Sequence, residues 1–137
     1  MQSKSNHLDN LQLEDFDYIA SGVFVDTNHW ISLIINLEKK EFALIDPFGT
    51  NPNLLEFGYQ AWLKYYNQRF EQNSVSWSIK TFTHPRQVDS FQCAVYSGLF
   101  IKQVIQLDMI DFKNGPEDLM RERKIWNALF AKNTKKI

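Results

Sequence analysis

The chain has 137 residues, the length of one domain, and 44% are hydrophobic against 23% charged, so it can bury a real core. With 15 Lys and Arg against 16 Asp and Glu the net charge is −1, which offers no positive field for nucleic acid. No apolar run approaches the ~18 residues of a membrane span, the Met1-Gln2-Ser3-Lys4-Ser5-Asn6 start lacks an apolar signal core, and one cysteine excludes an internal disulfide and fits a reducing compartment.

In chain order, residues 1–15 are polar and predict loose structure. Tyr18-Ile19-Ala20 and Val23-Phe24-Val25 read as a short strand around Gly22. Residues 30–36 form a β-rich apolar run, Glu38-Lys39-Lys40-Glu41 a solvated turn, and Phe42-Ala43-Leu44-Ile45 a returning run. Two such runs around a polar turn predict an antiparallel hairpin, and consecutive apolar positions predict that it is buried on both faces. Pro47-Phe48-Gly49 and Asn51-Pro52-Asn53 are turn signals. Residues 54–72 read as a helix with Leu55, Tyr59, Trp62, Tyr66 and Phe70 on one stripe, more simply core than binding surface. Residues 74–82 alternate and predict a strand with Val75, Trp77, Ile79 and Thr81 on one face. A loop around Pro85 leads to a helix over 91–107, with Asp89 or Ser90 as N-cap and Gln92 completing a capping box. Gly115-Pro116-Glu117-Asp118 opens a last helix whose stripe is Leu119, Ile125 or Trp126, and Leu129 or Phe130. The polar 132–136 stretch reads as a frayed tail. Strands, a helix, a strand and two helices make an α+β domain.

Cys93, a histidine, a carboxylate and an amide together supply what a cysteine-nucleophile hydrolase needs. A thiol near pH 7 is only a few per cent thiolate and needs a base. The base needs a third group to fix its tautomer, and the tetrahedral intermediate needs donors for its oxyanion. A lone cysteine is by default a small buried hydrophobe. Cys93, however, falls in the first turn of a predicted helix, where the dipole and free N–H groups favour a thiolate. Three histidines compete for the base. His7 lies in the polar N-terminus, and His84 in a loop nine residues before Cys93. His29 is preferred because it opens the first hairpin strand while Asp46 closes the second, which places both at one sheet edge. An acid before Pro47 is otherwise a turn former. Trp30 is the candidate substrate-binding residue, with packing around the site as its plainer role. Gln87 by itself reads as a solvated loop residue, and Ser97 as a small helix-packing residue. Three His and one Cys make no spaced metal-ligand cluster.

His29-Trp30, Asp46 at 17 positions on, and Gln87 six residues before Cys93 resemble, in order and spacing, the ubiquitin-like-protein-specific proteases that cleave SUMO and NEDD8. Their pattern is His-Trp, then Asp, then Gln-x-Asn-Gly-x-Asp-Cys-Gly, and the likeness runs over residues 23–106. The chain departs from it at Asp89, Ser90, Gln92 and Ala94, which stand for Asn, Gly, Asp and the Gly after the nucleophile. The resemblance implies a papain-like cysteine-proteinase fold, with a small mixed sheet flanked by helices and the nucleophile at a helix N-terminus. It implies a cysteine-type isopeptidase in which Cys93 attacks, His29 is the base, Asp46 orients it, and Gln87 with the Cys93 N–H holds the oxyanion. The implied partner is a ubiquitin-like protein, with no cofactor, no metal, no nucleic acid, no membrane and no second subunit, in nucleus or cytoplasm. Members carry a longer region before the histidine, which grips the partner and clamps its diglycine tail. Only 28 residues precede His29 here, so the expectation is one truncated or minimal catalytic domain over 1–137. The rival readings are an inactive relative that binds a ubiquitin-like protein, a YopJ-type acyltransferase, for which Asp46 would have to be Glu, and a viral adenain-like processing protease of the same fold.

Overall fold

The computed structural model describes residues 12–26, 29–70, 76–87 and 92–133. A short 3-10 turn, Leu13–Asp15, leads into β1 (Tyr18–Val25), β2 (His29–Asn36) and β3 (Glu41–Ile45). Helix α1 (Pro52–Phe70), a two-residue β4 (Ser78–Ile79), α2 (Cys93–Leu107) and α3 (Pro116–Asn133) follow. The strands lie in the order β1-β2-β3-β4, with the first two pairings antiparallel and β4 parallel to β3.

The β2–β3 hairpin is buried on both faces, as its unbroken apolar runs predict. Successive side chains on a strand point to opposite sides. Ile34, Ala43 and Ile45 accordingly pack against Tyr96, Leu99, Phe100 and Val104 of α2. Their neighbours Ile35 and Phe42 pack with Trp62 and Tyr66 of α1 and with Trp77. The predicted aromatic stripe of α1 is core: Trp62, Tyr66 and Trp77 meet at ring distances of 5.1–5.8 Å.

Three expectations need correction. The strand read over 74–82 is only Ser78–Ile79 among the described residues. Trp77 is drawn into the aromatic cluster, and after the bonds Ser78 N–H to Lys40 O (3.0 Å) and Lys80 N–H to Phe42 O (2.8 Å) the chain leaves β3, so Thr81 is exposed. The N-cap of α2 is Gln92, with no side-chain capping bond; Asp89 and Ser90 lie outside the described residues. On α3 the stripe runs through Leu119, which is buried, and Trp126, which is half-buried, while Ile125 and Leu129 are exposed. The helix also runs on to Asn133, past the point where a frayed tail was expected.

One buried polar bond fastens the sheet to α2. Ser32 Oγ, three residues after His29, donates to the carbonyl of Ser97, four residues after Cys93, at 2.8 Å. Ser32 is fully buried, so its hydroxyl has no water to turn to. Replacing Ser32 by Ala leaves that carbonyl lacking the bond, and urea unfolding should show a loss of about 1–3 kcal/mol.

Candidate active site

Asp46 follows the last residue of β3 and makes two bonds with one oxygen. Its Oδ1 accepts from the backbone N–H of Phe48 at 2.8 Å and from His29 Nε2 at 2.8 Å. The N–H of Gly49 donates to the Asp46 carbonyl at 2.9 Å and closes the turn. Turn former and imidazole partner are therefore one residue, since a short acidic side chain can bond its own backbone two residues on. The carboxylate can only accept, so the ring proton of His29 sits on Nε2 and Nδ1 is left as the basic nitrogen. Both side chains are 16% exposed. Removal from water strengthens a hydrogen bond to an ionised group. The ring of Phe48 stacks on the imidazole at 5.0 Å and 30°, so aspartate and phenylalanine of a single turn grip one histidine. Gly49 has φ 118°, a region closed to other residues. A Cβ there would also strike the Arg86 guanidinium.

Gln87 joins this turn from the loop after β4. It is 5% exposed, not solvated, and its N–H donates to the Pro47 carbonyl at 2.8 Å. Cys93 is the first residue of α2 and is 6% exposed. The first N–H groups of a helix have no intrahelical partner and carry the positive end of its dipole. The position therefore suits a thiolate and an oxyanion formed beside it. The structure thus joins His29, Asp46 and Gln87 through one turn, and ties the helix that begins at Cys93 to the His29 strand through the Ser32–Ser97 bond.

A model of the Ulp1 protease family, C-terminal catalytic domain, matches residues 2–132. The chain belongs to this family. The ubiquitin-like-specific protease 1 of Saccharomyces cerevisiae is 23% identical over 87 residues, which is 62% of this chain and 14% of that protein. Among solved structures, the C-terminal Ulp1 protease domain in complex with Smt3, the yeast orthologue of SUMO, aligns with a TM-score of 0.73 at 19% identity over 93% of this chain and 58% of that one. The Chlamydia abortus effector protein ChlaDUB aligns at 0.62 and 15% identity over 94% and 64%. The chain spans less than two thirds of the length of each of these relatives. At such identities the likeness establishes the fold, and the α+β, papain-like architecture expected from the sequence is the one shared with the Ulp1 domain.

His84 has its Nδ1 bonded to the Pro85 carbonyl at 2.8 Å and its ring packed on Phe100 at 4.8 Å. No carboxylate pairs with it among the described residues. His7 lies outside the described residues. Trp30 packs on Phe24 at 5.0 Å and over Gly22, yet remains 38% exposed beside His29. No cluster of three or more His, Cys, Asp or Glu among the described residues is arranged to hold a metal ion, and no helix among them is long and apolar enough to cross a membrane. Sequence reasoning missed Phe48, which it took for a plain turn residue; its place two after Asp46 was the available signal.

Cys93 is the only thiol, so its alkylation reads the site directly. A thiol without a base is only a few per cent ionised at pH 7, so His29→Ala should slow iodoacetamide labelling by roughly tenfold or more. His84→Ala should leave the rate within about twofold, because that imidazole is engaged by a backbone carbonyl and not by an acid. The reverse order of the two effects would assign the base to His84.

Proposed function

We propose that this chain is a cysteine-type peptidase and isopeptidase that cleaves after the C-terminal glycine of a ubiquitin-like protein of the SUMO or NEDD8 type. The observation that carries the reading is the His29–Asp46 bond, made in a Ulp1-family domain whose α2 helix begins at Cys93. In this reading His29 Nδ1 takes the Cys93 proton and the thiolate attacks the glycine carbonyl carbon. The resulting oxyanion is held by the Gln87 amide and the Cys93 N–H. Collapse breaks the carbon–nitrogen bond, and the imidazolium gives its proton to the departing amine. Water, deprotonated by His29, then attacks the thioester and frees the glycine carboxylate and the thiol. Asp46 keeps Nε2 protonated throughout and stabilises the imidazolium. Trp30, exposed beside His29, flanks the tail of the modifier.

SUMO in the Ulp1 complex makes SUMO the first modifier to test. Vinyl-sulfone derivatives of SUMO, NEDD8 and ubiquitin should separate the readings. Covalent capture by wild type and none by Cys93→Ala is expected. Binding without capture would make the chain an inactive relative, and acetyl-CoA-dependent autoacetylation would make it an acyltransferase. With the captured modifier as a fluorogenic substrate, Gln87→Ala should lower kcat by about 10²–10³, the scale of one lost oxyanion donor. Asp46→Asn keeps an oxygen for the Phe48 N–H, so it should fold normally while turnover falls by roughly 10²–10⁴.

A further inference from the structure

We infer that Asn114 and Tyr96 are positioning residues for Gln87, acting through the peptide that joins Arg86 to Gln87. The inference rests on the peptidase reading above and adds two residues to it. The Arg86 carbonyl and the Gln87 N–H belong to one planar peptide unit and, in the trans form, point in opposite directions. Both ends are gripped. The N–H donates to the Pro47 carbonyl at 2.8 Å, next to Asp46. The carbonyl accepts from Asn114 Nδ2 at 3.2 Å and from Tyr96 Oη at 3.4 Å, and Asn114 Nδ2 also donates to Tyr96 Oη at 3.0 Å.

The donors and acceptors of this triangle match in number. An amide nitrogen has two protons, a phenol one, and a carbonyl oxygen two lone pairs. Because the Arg86 oxygen can only accept, the nitrogen of the Asn114 amide must face it. The phenol cannot swing away, since the Tyr96 ring is completely buried and contacts Phe100 and Phe112 at 6.0 and 5.8 Å. Tyr96 stands three residues after Cys93 on α2, and Asn114 lies in the connection from α2 to α3. The loop that carries Gln87 has no regular structure from Lys80 to Gln87. These bonds therefore set the direction in which the Gln87 side chain leaves the backbone, relative to both the nucleophile's helix and the Asp46 turn. A misplacement of about 1 Å in a catalytic donor can cost ~10²-fold, so a side chain that fixes this peptide affects rate without touching substrate.

The test uses Asn114→Leu and Tyr96→Phe, the second of which keeps the buried ring should the first fold poorly. On the fluorogenic ubiquitin-like substrate each should lower kcat about tenfold with KM within about twofold, the pattern of a contact felt in the transition state. In a Gln87→Ala background neither should cost anything further, because residues acting through one donor are not additive. Iodoacetamide labelling of Cys93, which forms no oxyanion, should keep its wild-type rate in every variant. Unchanged kcat in both single variants, full additivity with Gln87→Ala, or slowed labelling would each overturn the inference. Wild-type protein that labels normally but turns over none of the SUMO, NEDD8 and ubiquitin substrates would instead overturn the peptidase reading, and the positioning role with it.

Discussion

The bond from His29 Nε2 to Asp46 Oδ1 is the constraint on which the site depends, and it is a consequence of strand register. In the β2–β3 ladder Ser32 pairs with Ile45 and Asn36 with Glu41. Continuing that register past Ile45 carries Asp46 level with Ile31, within side-chain reach of His29. A shift by one residue would send every side chain of β2 to the opposite face. Here such a slip is resisted from both sides, because Ile34 and Ile35 are each in a different core. Two-sided burial therefore does more than stabilise the sheet: it holds His29 and Asp46 in phase.

The turn after Asp46 then converts that register into a site. One carboxylate oxygen serves the Phe48 N–H and the imidazole, Pro47 offers its carbonyl to Gln87, and Gly49 makes room for Arg86. Four consecutive residues thus bring the β3 edge and the loop before α2 into contact. Hydrogen bonds of this kind are each worth only about 1 kcal/mol net, so their value lies in geometry. They leave the histidine one tautomer and the 86–87 peptide one orientation.

What could be read in the sequence followed from locality. Hairpin ends meet because an antiparallel turn makes them meet, so His29 and Asp46 could be paired without coordinates. The helix that carries Cys93 was legible as an element, although its first residue came later than its capping signals implied. The strand over 74–82 is only Ser78–Ile79 among the described residues, because alternation records which side chains are buried and not what buries them. Trp77 answers to Trp62 and Tyr66, not to a ladder. Asn114 was illegible for a related reason. It bonds a carbonyl 28 positions away, and nothing in a polar connection predicts which distant backbone group it serves. Phe48 and Pro47 were visible as turn residues, but the use of their ring and carbonyl depends on a third segment folding over them.

Ala94, which stands where the family pattern carries glycine, marks how far this chain can depart from its relatives without losing the arrangement. Successive residues on a helix are ~100° apart. Cys93 is buried toward the sheet while Ala94 is exposed, lining a groove between α2 and α3 with Val95, Gly98, Arg123 and Trp126. The added methyl therefore meets no side chain of the core, and a residue in the first turn of a helix gains up to ~1 kcal/mol when Ala replaces Gly. Packing within this chain therefore leaves room for the Ala94 methyl on the side facing α3.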